Sequence, residues 1–267
     1  PGHAAFPGDV VEHVYRDADA HLGRLVEAAG AGAIVIVFSL LGMGPNYSGA
    51  HLLDEILARL DPHAHARGPF AARALAGLRT RTPGWLRRRA PSALRQAARE
   101  SHARSRIGHR FWPVPTDMPT SAIRINRAGR EPHGAVCGGR EFELVCAELS
   151  RELLALEDPD SGARLVRDVL VTHEVYAGPA CENFADVLVI WEQARPIVAA
   201  TSPRIGVVRA RPAGDRSGNH RANGWFVAAR PGMSPAVLGR PVSVLDFAPT
   251  VSGLLGVPLD GAEGDAI

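Results

Sequence analysis

The sequence predicts an α/β fold in which a sheet lies between layers of helix, and three observations carry that reading. The chain has 267 residues, of which 46% are hydrophobic and 22% charged, the balance of a folded domain rather than a disordered segment. A helical pattern, an apolar run without alternation, a glycine-rich turn and a second helical pattern follow one another within the first 60 residues. That order is the unit from which a parallel sheet covered by helices is built. Finally, the longest apolar run, Ala33–Leu41, is strand-sized and falls well short of the roughly 18 residues that cross a bilayer.

Taken in order, Val10, Val11, Val14, Ala18, Leu22, Leu25 and Val26 recur at spacings of three and four and predict an amphipathic helix that stops near Gly30. The run Ala33–Phe38 predicts a strand covered on both faces. It ends in the glycine-rich turn Ser39–Pro45, where Gly42 and Gly44 permit a sharp change of direction. Ser48 is expected to cap a helix reaching Leu60. In parallel sheets ligands gather at the carboxyl ends of strands, so the loop after Phe38 is where chemistry is expected.

From Arg67 to Arg110 the composition changes to twelve Arg against one acid, Glu100, cut by Pro69, Pro83 and Pro91. This predicts an Arg-rich helical insertion or lid. The formal charge of +2 therefore joins a strongly basic stretch to a remainder that is net acidic. Trp85, Phe111 and Trp112 near it are candidate base-stacking residues for nucleic acid. The absence of any nucleic-acid-binding motif makes steering of anionic substrates by a solvated lid the better reading.

Beyond the insertion, Ser121–Asn126 alternates as a strand, Glu141–Leu156 has helical spacing, and Arg164–Tyr176 reads as extended. Asp186–Trp191 and Gly224–Ala229 read as core strands, and Ser243–Leu255 as a last helix with Asp246 capping its start and Gly256 ending it. The organisation is thus residues 1–60 as a sheet-forming core segment, 61–119 as the insertion, and 120–267 as the remainder of the core.

Every basic residue is Arg, which excludes a lysine nucleophile or Schiff base. Cys137, Cys146 and Cys181 have no C-x-x-C spacing and are expected to be small buried hydrophobes. Asp9 and His13, four apart, have the spacing of a metal pair, but a helix start also needs an acid there. His63 and His65 lie in a polar turn, where solvation is expected. Asn126, Arg130 and Glu131 follow a strand and are candidates for a pocket rim, with a salt-bridged surface turn the better reading. No signal-peptide pattern precedes the first helix.

Six segments carry a resemblance. Val35-Ile-Val-Phe-Ser-Leu-Leu-Gly-Met-Gly-Pro-Asn46, preceded by Tyr15–Gly23, is followed by Ile123–Gly134, Asp186–Trp191, Ser217–Phe226 and Val244–Pro258. In that order they resemble the alkaline-phosphatase superfamily, most closely its type I phosphodiesterase/nucleotide pyrophosphatase branch, over roughly residues 7–60 and 120–267. The resemblance implies an alkaline-phosphatase-like α/β/α sandwich, incomplete at its N-terminus. It also implies hydrolysis of phosphoric esters by a Thr or Ser nucleophile with two divalent metals, usually zinc, that clamp the attacking and leaving oxygens. A small-molecule phosphate ester is the implied partner.

Carried over residue by residue, His220 matches the branch's late metal-binding His, and His3, in Gly2-His3, resembles the remnant of an early one. Asn126 and Arg130 are the substrate-binding candidates. Leu40 and Leu41 stand where the branch has a metal-binding Asp and His, and leucine has no lone pair to offer. No residue of this chain matches the nucleophile. The expectation is a truncated or degenerate phosphodiesterase-type hydrolase, with a non-catalytic binding or scaffold domain as the alternative.

Overall fold

The computed structural model describes residues 10–61, 106–116, 118–210 and 217–267. Asp9, His3, His63, His65, Trp85 and most of the Arg-rich stretch lie outside the described residues. Mixed helix and strand bears out the α/β class. The described strand pairs whose registers are known, however, are antiparallel, where a parallel sheet was expected. The chain forms two compact units, one from Met43–His220 and one from Pro1–Gly42 with Arg221–Ile267.

The Met43–His220 unit is built on a four-stranded sheet of β3 (Phe111–Val114), β4 (Ser121–Ile125), β6 (Val187–Trp191) and β5 (Val166–Val171), hydrogen-bonded in that order. Phe111 faces Ile125, Ile123 faces Val187, and Val169 faces Val189. Apolar strands such as β4 and β6 need cover, and two helices supply it. α2 (Leu53–Leu60) buries Leu53, Ile56, Leu57 and Leu60 and packs on β3. α3 (Arg140–Leu154) buries Phe142, Val145, Cys146, Leu149 and Leu153 and packs on β5 and β6. Both sets recur at three and four, so the sequence periodicity and the buried stripe coincide. Phe111 belongs to this core, which removes it from the candidate base-stacking residues.

Several local expectations are corrected. Ser48 does not cap α2: its hydroxyl donates to Asn46 Oδ1, and a short 3-10 turn, Ala50–Leu52, leads into the helix. Gly42 and Gly44 lie within a strand, β2 (Gly42–Pro45), rather than in a loop. Arg164–Tyr176 is only partly extended, because a one-turn helix, α4 (Thr172–Val175), closes its end. Of the three thiols only Cys146 is buried. Its burial first, then the carboxylates of Asp186, Glu143 and Glu174, push its pKa up to about 12. Cys137 is exposed in the loop before α3, where its N–H donates to Glu141.

Charged side chains close the open side of α3. Glu148 accepts from Arg110 at 2.7 Å and pairs with Arg204 at 2.7 Å. Partial burial opposes its ionisation, but the two guanidinium groups more than offset this and hold the carboxyl below its ordinary pKa. A depressed carboxylate contributes stability above its unfolded pKa of about 4.3 and loses it as the pH falls through the lower folded value. Glu148→Gln is therefore expected to cost about 1–2 kcal/mol at neutral pH. The difference from the parent should shrink below about pH 4, measured as urea midpoints across pH.

The second unit holds α1 (Val10–Ala29), β1 (Val35–Ser39), β10 (Trp225–Ala229) and α5 (Phe247–Leu255). β1 and β10 pair antiparallel, Val35 with Ala229 and Ser39 with Trp225. Neither is the covered core strand that was expected. Phe38, Trp225 and Val227 are all about half exposed, and α1, which keeps its predicted length, buries none of its residues. Phe247 packs against Phe38 and Phe226, at ring-centroid distances of 4.4 and 5.8 Å. The closing helix follows expectation. Asp246 and Ser243 form a capping box before α5, and Asp246 Oδ1 also accepts from the Asp265 N–H at 3.1 Å. Gly256 ends the helix at φ +66°, the left-handed conformation that glycine adopts without steric cost.

Candidate functional site

The Gly-Met-Gly-Pro segment and the segment holding His220 meet. β9 (Gly218–Arg221) pairs with β2, although the two are far apart in sequence. The contact continues past the strand: the Asn46 N–H donates to the Ser217 carbonyl at 2.8 Å, and Asn219 Nδ2 donates to Asn46 Oδ1 at 3.3 Å. Asn219 is buried, and its own Oδ1 accepts from the His220 N–H at 2.9 Å. These bonds fix the backbone leading into His220. The imidazole Nδ1, by contrast, is buried and has no hydrogen-bond partner among the described residues. An unpaired buried ring nitrogen is costly, and it is the kind of atom that a ligand or ion would satisfy.

Close by in the chain, Gly49 lies against the Trp191 ring so tightly that a Cβ there would come within 2.6 Å of it. His51, in the following 3-10 turn, is held below the ordinary imidazole pKa by burial, against the opposing effect of backbone groups at Ser48 and Ala210. Its Nε2 is also buried without a partner among the described residues.

The other two candidates, Asn126 and Arg130, occur together in the turn after β4, where they serve the fold. Asn126 is buried and donates to the carbonyls of His109, at 2.7 Å, and Arg106. Arg130 binds Asp186 through two parallel hydrogen bonds of 2.7 Å each and donates to the Ile125 carbonyl and to Glu131. Burial alone would weaken its hold on the proton; Asp186 reverses this and raises the pKa. Glu131 also accepts from Arg124 at 2.8 Å. The ion pairs anticipated for Arg130 and Glu131 form, but the turn is not the surface feature expected: Asn126 is buried and holds backbone carbonyls, and Arg130 and Asp186 are nearly buried. Beside it lies a small hollow lined by Arg106, Trp112, Asn126, Glu131, Pro132 and His133, with the Arg106 guanidinium 4.1 Å from the Trp112 ring centre.

Among the described residues one group of three potential metal ligands converges, and it contains none of the residues singled out from the sequence. Glu143, His173 and Glu174 each offer a ligand atom, all within 4.8 Å of one another. His220 belongs to no such group among the described residues. His13 is paired with Asp17 at 3.4 Å on the exposed face of α1. Glu143 and His173 are thirty residues apart, on α3 and α4, so no spacing rule could have joined them. The adjacent His-Glu pair at the end of a strand was the only available signal.

Comparison with known proteins gives no match to a protein family, to a curated protein or to a solved structure.

Proposed function

We propose that this chain is a relative of type I phosphodiesterase/nucleotide pyrophosphatase hydrolases that binds a small phosphate ester where β2 meets β9. In the form described here it does so without hydrolysing the ester. The contact between Asn46 and Ser217–Asn219 carries this reading. It joins two segments on which the resemblance rests, and it holds a buried, unpartnered His220 nitrogen at the junction.

The donor set at this junction does not fit two zinc ions. A catalytic zinc takes about three protein ligands and leaves one position for water. Leu40 and Leu41 supply no lone pair, and no three-donor group among the described residues includes His220. No hydrolytic step is therefore assigned to these residues. What remains suits binding through the His220 imidazole, which can meet a phosphate oxygen, while the amide and backbone groups of the junction hold it in place.

Adenosine monophosphate and bis(p-nitrophenyl) phosphate separate the possibilities. The nucleotide should bind, measured by titration calorimetry, and His220→Ala should weaken it roughly tenfold, about 1.4 kcal/mol. The chromogenic diester should not turn over, with or without added zinc. Zinc-dependent turnover that His220→Ala abolishes would establish a working hydrolase instead. Absence of nucleotide binding would end the proposal.

A further inference from the structure

The group formed by Glu143, His173 and Glu174 lies apart in sequence from the β2–β9 junction and is assembled at the four-stranded sheet, whereas β2 and β9 form a sheet of their own. β5 runs beside α3 and ends in α4, which presents His173 and Glu174 to the first turn of α3. That ending is pinned. The Thr172 N–H donates to the Asp186 carbonyl at 2.9 Å, the Thr172 hydroxyl to the Ala185 carbonyl, and the Tyr176 N–H closes the turn on Thr172. On the α3 side, Phe142 packs against the imidazole with ring centres 5.3 Å apart, and the Arg127 guanidinium lies over the Phe142 ring at 5.6 Å. The imidazole is therefore held between a fixed turn and an aromatic ring.

Its Nε2 stands 3.2 Å from the Glu143 carboxylate, an approach that a simple ion pair would explain. Glu174 is what the ion pair leaves unexplained. Its carboxylate comes into the same 4.8 Å group, yet it makes no hydrogen bond or ion pair of its own among the described residues. Two carboxylates and one imidazole then share a site. Like charges at this separation repel unless a cation lies between them.

We propose that Glu143, His173 and Glu174 form a surface site for a divalent transition metal, with zinc as its best-suited ion. The donor chemistry favours it: one imidazole nitrogen and two carboxylate oxygens are zinc ligands, and an open fourth position is left for water. Imidazole also selects against magnesium and calcium, which take oxygen ligands alone. The distances agree. Donors arranged tetrahedrally at bond lengths of about 2.1 Å lie about 3.4 Å apart, close to the 3.2 Å already found between His173 and Glu143. All three side chains are exposed, so the third donor reaches this geometry by rotating in solvent, without disturbing the core. Zinc bound here would fasten the end of β5 to the start of α3.

The site is tested on the whole chain with zinc chloride as the probe, by equilibrium dialysis with elemental analysis and by thermal unfolding with and without the metal. The parent should bind zinc and gain thermal stability from it. His173→Ala and Glu174→Gln should each lower zinc affinity tenfold or more while leaving the circular dichroism of the apo-protein unchanged. Magnesium at the same concentration should neither bind nor displace zinc. His220→Ala should leave this zinc in place, so a failure of the phosphate-ester reading would not carry over to this one. Zinc binding that is absent in the parent, or equal in the parent, His173→Ala and Glu174→Gln, would overturn the assignment.

Discussion

Asp186→Ala is expected to lower the stability of the Met43–His220 unit by about 3–5 kcal/mol. Asp186 accepts both Arg130 hydrogen bonds and, through Oδ2, the Ile125 N–H at 2.7 Å. Truncation leaves a guanidinium of 10% side-chain exposure with only part of its charge answered by Glu131. It also strips the acceptor from a backbone donor in β4, which is fully buried at Ile125. Removing one partner of a buried pair costs more than the pair contributes, because the survivor keeps its desolvation penalty. Asp186→Asn, which retains an acceptor but no charge, should fall between the parent and alanine. Urea unfolding with an unchanged m-value is the measurement; a loss under 1 kcal/mol would show that water replaces the carboxylate.

A loss of similar size, about 3–5 kcal/mol, is expected for Trp191→Ala. This side chain has no exposed surface. Its ring seats Gly49 on one face, and its Nε1 donates to the buried Ser121 hydroxyl at 2.8 Å. The cavity and the orphaned Ser121 act together, so the effect exceeds transfer of the indole alone. Trp191→Phe fills most of the space and isolates the hydrogen bond, with an expected cost nearer 1–2 kcal/mol. Equal losses for Phe and Ala would mean that the hydrogen bond to Ser121, not the cavity, governs the site. Either alanine variant removes a large share of the 5–15 kcal/mol that typically holds a domain together.

Much of the element list was legible because it rests on local period. α3 and α5, β4 and β6 all lie close to where the apolar spacing puts them, and the Gly256 stop follows from its position after the last apolar turn. What periodicity does not contain is direction and partner. Ala33–Phe38 looks the same whether its neighbour runs parallel or antiparallel, and only the pairing with Trp225–Ala229 decides it. The pattern of α1 was equally clear, yet its apolar stripe remains exposed, because amphipathicity states which face wants cover and not whether cover is present. In the candidate site, Arg130 and Glu131 could be read as a salt-bridged turn from their adjacency. Asp186, the partner that matters most, lies 56 residues away and was visible only as the first residue of a strand. Glu143, His173 and Glu174 were invisible for the same reason: three ordinary surface residues acquire meaning from the packing of β5 against α3.

The register of β1 against β10 also bears on how the chain is made. Val35 waits for Ala229, a partner that leaves the ribosome about 190 residues later. At about 5–20 residues per second this amounts to roughly 10–40 s. Throughout that interval Val35-Ile-Val-Phe-Ser39 is a nascent β-prone segment with its backbone donors and acceptors unpaired, which is the condition under which strands find wrong neighbours. The brevity of β1 and the Gly30-Ala-Gly32 stretch just before it limit how far such a mispairing can extend.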